Sequence, residues 1–238
     1  VPKWILPAVV AVAAVFTVLA YLLGPSAPVK KKATQKPAEL QVTVKRVGDG
    51  PRVAGYSAAG AEYLAVTGLA DPVLQQTVNR ALYAPLDQAQ ARYTRRSKKQ
   101  DVDGVEMNQG LTVEIGLKGP RLLSAAMDVS DPLFPHGAAY KFPVGITVDL
   151  TTGQVFTPRQ LFKVGLARLG ELVRRPTHPV EGACRFVPTS ALAFTADNVL
   201  VGWRGHTPEC ADIRWVAVPY AEAQAFVRPE ILELVNTR

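Results

Sequence analysis

The side chains able to do chemistry are few. There are two cysteines, Cys184 and Cys210, 26 positions apart, and three histidines. An even pair flanking a hairpin-like stretch suits a disulfide in an oxidising compartment. Chain-entropy arithmetic credits such a loop with about 3.5 kcal/mol. The rival reading is a metal site, because His178, Cys184, His206 and Cys210 are all suitable ligand types. Structural zinc sites usually carry a C-x-x-C knuckle, and this sequence has none. A disulfide is the expectation, with free thiols and a metal as alternatives. His136 lies between Pro135 and Gly137, just before an apolar strand. It could serve as a base or ligand contact, or simply be an exposed loop residue. No G-x-S-x-G elbow, H-E-x-x-H pair or glycine-rich phosphate loop occurs. Glycoside cleavage would need two carboxylates facing one cleft. Asp149 and Glu114 can be nominated, without support from their spacing. Glu62, Asp103 and Glu106 fit no hard-cation loop. The residues therefore point to no enzyme, no cofactor and no metal. The remaining candidate is a basic cluster, Arg92, Arg95, Arg96, Lys98 and Lys99. It reads either as an anion-binding patch or as a solvated helix end whose cations suit the macrodipole.

The elements that must position these residues follow from periodicity. Leu40 to Val47 alternates apolar and polar residues as a half-buried strand does, and Glu62 to Leu69 is a second candidate. Asp71-Pro72 opens a helix, with Asp71 as N-cap and Pro72 in the first turn. Leu74, Val78, Ala81 and Leu82 make one face of it. Pro85 is expected to kink or interrupt that helix, with the pattern resuming through Leu86, Ala89 and Tyr93. Leu111 to Leu117 and Leu122 to Val129 read as strands around a Gly119-Pro120 turn. The central stretch runs from Leu133 to Val173. In it a strand from Tyr140 to Leu150 meets a Thr151-Thr152-Gly153 turn, and Gln154 to Phe156 returns. Thr157-Pro158 then opens a helix whose apolar face is Phe162, Leu166, Leu169 and Val173. Ala191 to Phe194 and Val199 to Trp203 flank a Thr195-Ala196-Asp197-Asn198 turn. Ile213 to Val218 is a last strand, and two short helices close the chain. The order suggests an α+β fold with helices packed on antiparallel sheets.

Composition bounds the setting. An apolar fraction of 48% in 238 residues is enough for a real core. The net charge of +7 attracts lipid headgroups, anionic wall polymer or nucleic acid, but no nucleic-acid-binding motif is present. Trp4 to Leu23 is twenty residues without a charge. At the helical rise it spans about 30 Å, the thickness of a bilayer core. Residues 1–23 are read as a single-pass transmembrane signal anchor, or as a cleaved signal peptide ending near Ala20. Gly24 to Glu39 is a basic, flexible linker. Residues 40–238 form the folded domain. Lys30, Lys31, Lys32 and Lys36 follow the span, and positive-inside counting alone would put that domain in the cytoplasm.

One stretch resembles a known family. GITVDLTTGQVFTPRQLF is similar to the signature of the extracytoplasmic RsiV-type domain, through Asp149, Leu150, Thr152, Gly153, Leu161 and Phe162. The hairpin Phe194 to Trp203, the Val216 to Tyr220 strand end, the Val66 to Asn79 stretch and Leu123-Ser124 are similar too. Many members carry Gly-Ala-His before the core strand; here Tyr140 stands where that histidine would be. The resemblance implies an α+β fold, partly β-grasp-like, and an exported, non-enzymatic domain. Together with the cysteine pair it favours a C-terminal domain outside the cell membrane, or a secreted one if the leader is cleaved. The expected function is recognition of a protein or cell-wall polymer. The cytoplasmic membrane, reached through residues 4–23, is the other partner. Candidate ligand-surface residues are His136, Tyr140, Arg92, Arg95, Arg96, Lys98 and Lys99. Alternatives are an envelope-polymer hydrolase and a fragment of an anti-sigma-type sensor. The latter needs a cytoplasmic coding region upstream of Val1.

Overall fold

Alternation between two faces organises the molecule. The computed structural model describes residues 39–48, 56–100, 107–108, 110–131, 140–173, 186–205 and 212–236. The proposed span and most of the linker, His136, Cys184 and Cys210 lie outside these residues. Among the described residues no helix is long and apolar enough to cross a membrane.

The first sheet is an antiparallel meander of β5 (Leu111–Lys118), β6 (Leu122–Asp131) and β7 (Tyr140–Asp149). One face carries Leu123, Ala125, Met127, Val129, Ile146 and Val148, all buried. Onto it pack the helix α1 (Pro72–Gln100) and the pair β1 (Gln41–Arg46) and β3 (Glu62–Thr67). Helix α1 presents Val78, Leu82, Leu86 and Ala89 to this core. Each fully buried aliphatic side chain contributes about 1.5–3 kcal/mol. As expected, Asp71 caps the helix by accepting the Val73 N–H at 2.8 Å. Pro85 does not end it. Core contacts on both sides of the proline hold the helix continuous, so packing overrides propensity.

Asn79 ties α1 to β3. Its Oδ1 accepts the Val66 N–H at 2.6 Å and its Nδ2 donates to the Val66 carbonyl at 2.9 Å. One side chain thus completes the outer edge of β3 where a neighbouring strand would otherwise be needed.

The second sheet is another antiparallel meander, β8 (Phe186–Phe194), β9 (Asn198–Gly205) and β10 (Ile213–Pro219). The Thr195–Asn198 turn forms as expected, with Thr195 Oγ1 accepting the Asn198 N–H. Phe186, Leu192, Phe194, Val199, Val201 and Trp203 form a second core with the short helices α2 (Pro158–Leu161), α3 (Leu166–Leu172), α4 (Tyr220–Ala223) and α5 (Pro229–Asn236). A two-residue parallel bridge, β2 (Tyr56–Ser57) with β4 (Met107–Asn108), carries no signal in the sequence pattern.

The expected single helix after Thr157 is two. Phe162 turns extended and bridges Val227, while Lys163 N–H donates to the Phe226 carbonyl and Arg228 N–H to that of Leu161. Pairing with the C-terminal segment wins over helix continuation. Leu161, Phe162, Leu169 and Val173 are buried, but Leu166 is 45% exposed and is not part of the core face.

Where the two sheets meet, side chains are small. A Cβ on Gly145 would lie 2.0 Å from the Leu192 carbonyl oxygen, and one on Gly116 2.3 Å from that of Phe194. Between them Ser124 is fully buried. Its Oγ donates to the Ile146 carbonyl at 3.2 Å, accepts the Phe194 N–H at 2.9 Å and lies 2.9 Å from Thr147 Oγ1. With Thr147 as donor, every hydrogen-bonding position of Ser124 is used.

Candidate functional site

Strand β7 is an edge of its sheet, and its outer side is only partly covered. Gly153, at φ +74°, closes the turn after it by donating to the Asp149 carbonyl. The returning segment then pairs with the end of β7. Asp149 N–H donates to the Gln154 carbonyl, and Phe156 N–H to that of Thr147. After Phe156 the chain leaves for Thr157 and α2. Thr157 N–H and Oγ1 both donate to Gln160 Oε1, at 2.9 and 2.8 Å, which fixes the point of departure. The stretch of β7 before Thr147 receives no further strand among the described residues.

A cleft of about 510 Å³ follows this stretch. Its floor is Pro143 to Ile146 of β7. One wall is Ala81, Ala84, Pro85 and Gln88 of α1, and the other includes Ser190 and Ala191 of β8. Pro85, in the helix wall, has no N–H to offer the Ala81 carbonyl four residues back. The β8 wall is a bulge. Register with β9 passes from Pro188–Trp203 to Leu192–Val201, so three β8 residues oppose one. Thr189 Oγ1 shapes it by donating to the Gly202 carbonyl at 2.8 Å and accepting the Ala191 N–H at 3.1 Å. Ser190 is left exposed at the rim.

At the Pro143 end the cleft meets positive charge. The Arg92 guanidinium carbon lies 4.2 Å from the centroid of the Phe142 ring, a cation–π contact. Arg95 and Lys141 are exposed. The structure therefore brings part of the basic cluster to the strand that begins at Tyr140. Tyr140 pairs with Asp131 in the β6–β7 ladder. Arg96, Lys98 and Lys99 occupy the last turns of α1, and their side chains, like that of Tyr140, lie outside the described residues.

The nominated carboxylates do not converge. Glu114 aligns across the sheet with Ala126 and Gly145, whereas Asp149 aligns with Leu122. Two strand spacings and four residues of rise put their Cα atoms about 16 Å apart. Asp149 is also committed elsewhere, its Oδ1 accepting the Thr151 N–H at 2.7 Å and the Thr151 hydroxyl. Burial pushes its carboxyl up, but the Thr151 donors and the Arg121 guanidinium at 3.4 Å outweigh this and hold it below the usual carboxylate range. Glu62 is likewise low, chiefly because Oε2 accepts the Val113 N–H at 3.0 Å. Among the described residues no group of three His, Cys, Asp or Glu side chains could hold a metal.

Sequence reasoning placed the basic cluster but missed Ala84, Pro85, Gln88, Pro143, Gly145 and Ser190. A signal existed: proline and glycine two apart inside an apolar strand mark an edge and a close backbone approach.

No family model matches the chain, and no curated protein matches it in sequence. Two solved structures are similar in backbone. One is a member of the DUF3298 family from Bacteroides fragilis, 10% identical, with 85% of this chain and 99% of that one covered at a TM-score of 0.48. The other is a DUF3298 family protein from Pseudomonas aeruginosa, 12% identical, with 82% and 97% covered at a TM-score of 0.46.

Proposed function

We propose that the chain is a non-enzymatic recognition domain of the RsiV type. It is held at the outer face of a cytoplasmic membrane through residues 4–23 and takes a protein or cell-wall ligand in the cleft beside β7. The observation that carries this reading is the lining. Apolar side chains and strand backbone make the floor and most of the walls, and Gln88, Thr157 and Ser190 are the polar side chains among the described lining residues. Such a surface can hold and orient a ligand. The carboxylates that hydrolysis would need sit apart, and Asp149 is bound within its own turn.

The test is retention of the full chain, in detergent micelles, on an insoluble envelope fraction. Ala84→Trp fills the cleft from the helix wall and Ser190→Trp from the bulge. Each should weaken retention at least tenfold while leaving the melting temperature within a few degrees. Unchanged retention by both folded variants, or turnover of any wall polymer by the wild type, would overturn the reading.

A further inference from the structure

We infer that the cleft takes an extended acidic peptide segment, added to β7 as an antiparallel strand. The inference rests on the reading of the cleft as the binding site and names the class of partner. Hydrogen bonding along β7 alternates strictly, because its ladder with β6 runs without a shift from Leu122–Asp149 to Asp131–Tyr140. The Thr147 carbonyl and the Asp149 N–H point outward to the returning segment, and the Asp149 carbonyl accepts the Gly153 N–H. By the two-residue period, Gly145 and Pro143 direct their backbone groups the same way, into the cleft. The floor therefore offers the Pro143 carbonyl and both backbone groups of Gly145. Four floor residues give about 13 Å of strand, enough for a short extended segment.

Direction follows from the neighbour already present. Gln154 to Phe156 runs antiparallel to β7 and stops at Thr147. A peptide continuing that line has its amino end beside Phe156 and its carboxyl end beside Pro143 and Lys141. Side-chain-free main-chain pairing of this kind is strand addition.

Charge selects among peptides. Ala81, Ala84, Pro85 and Gln88 line the cleft, and Arg92 and Arg95 continue the same helical face at the i+4 and i+7 positions from Gln88. Helix α1 carries Arg80, Arg92, Arg95, Arg96, Lys98 and Lys99 against one carboxylate, Asp87, which falls on another side of the helix. Asp128 belongs to the opposite face of the sheet, where its Oδ1 accepts the Trp215 indole N–H at 2.8 Å. Acidic residues at the carboxyl end of the peptide would meet Arg95 on the α1 side, next to Arg92 where it stacks on Phe142, whereas Lys141 lies on the other face of the sheet with Asp128.

The probe is the peptide acetyl-TVTVTVDE-amide, titrated into the full chain in micelles. The expected result is saturable binding, at least tenfold tighter than for acetyl-TVTVTVKK-amide. Methylating the backbone nitrogens of either the valines or the threonines should cost at least tenfold in one of the two registers. Arg95→Glu should weaken the acidic peptide severalfold and improve the lysine peptide. Equal binding of the two charge forms, full binding by both methylated forms, or no binding would overturn strand addition. If the peptide fails while envelope retention stays sensitive to Ala84→Trp, only this inference falls. If retention is also insensitive, the cleft is not the binding site and both readings fall.

Discussion

Single side chains here do the work of missing strands. Asn79 satisfies both backbone groups of Val66, a residue with no exposed surface. Asn79→Ala leaves a buried donor and acceptor unpaired, each costing about 1–3 kcal/mol. The expected loss is about 2–4 kcal/mol in urea unfolding, and a loss under about 0.5 kcal/mol would show that water replaces the amide. Asp149 makes a pH-dependent contribution. Its carboxyl is held below the ordinary value, so its stabilisation is complete above the unfolded carboxylate pKa of about 4 and fades as pH falls through the folded value. The wild type should therefore exceed Asp149→Asn in urea midpoint at pH 7, and the gap should narrow between about pH 4 and pH 2. Glu62 keeps its own acid-sensitive share in both proteins. A gap that stays constant down to pH 2 would contradict the Asp149 assignment.

Elements were legible where local pattern and tertiary packing agree. The alternation of Leu111 to Leu117, the Asp71-Pro72 start and the Thr195–Asn198 turn all appear in the structure with the chemistry that their residues imply. The pattern misled where long-range pairing took over. The 3.6-residue period placed Leu166 with Leu169, but Phe162 pairs with Val227 in an isolated antiparallel bridge and resets the helix that follows. Leu166→Asp should consequently change stability by less than about 1 kcal/mol, as exposed substitutions do. Leu169→Asp, at a residue with no exposed surface, should unfold the domain in thermal denaturation. Equal effects of the two would restore the continuous helix. Pro85 misled in the other direction, since its local cost is overridden by Val78, Leu82, Leu86 and Ala89 in the first core.

At the scale of the whole molecule, the two sheets approach closely enough to require Gly116 and Gly145, and Gly145 is part of the floor of the cleft. Its basic end could be nominated from the run Arg92 to Lys99 because charge clusters are visible in sequence. Its floor carried only the Pro143 and Gly145 signal of an edge, and nothing local says that β8 bulges at Thr189 to Ala191 opposite Gly202. The central claim is that the outer edge of β7 is open beside α1. Amide hydrogen exchange by NMR on the full chain in micelles tests it directly. The Val144 and Ile146 N–H groups face β6 in the ladder, whereas that of Gly145 faces the cleft. The Gly145 amide should exchange at least a hundredfold faster than those of Val144 and Ile146. Equal protection of all three would mean that another segment already covers the edge, and the binding account would be contradicted.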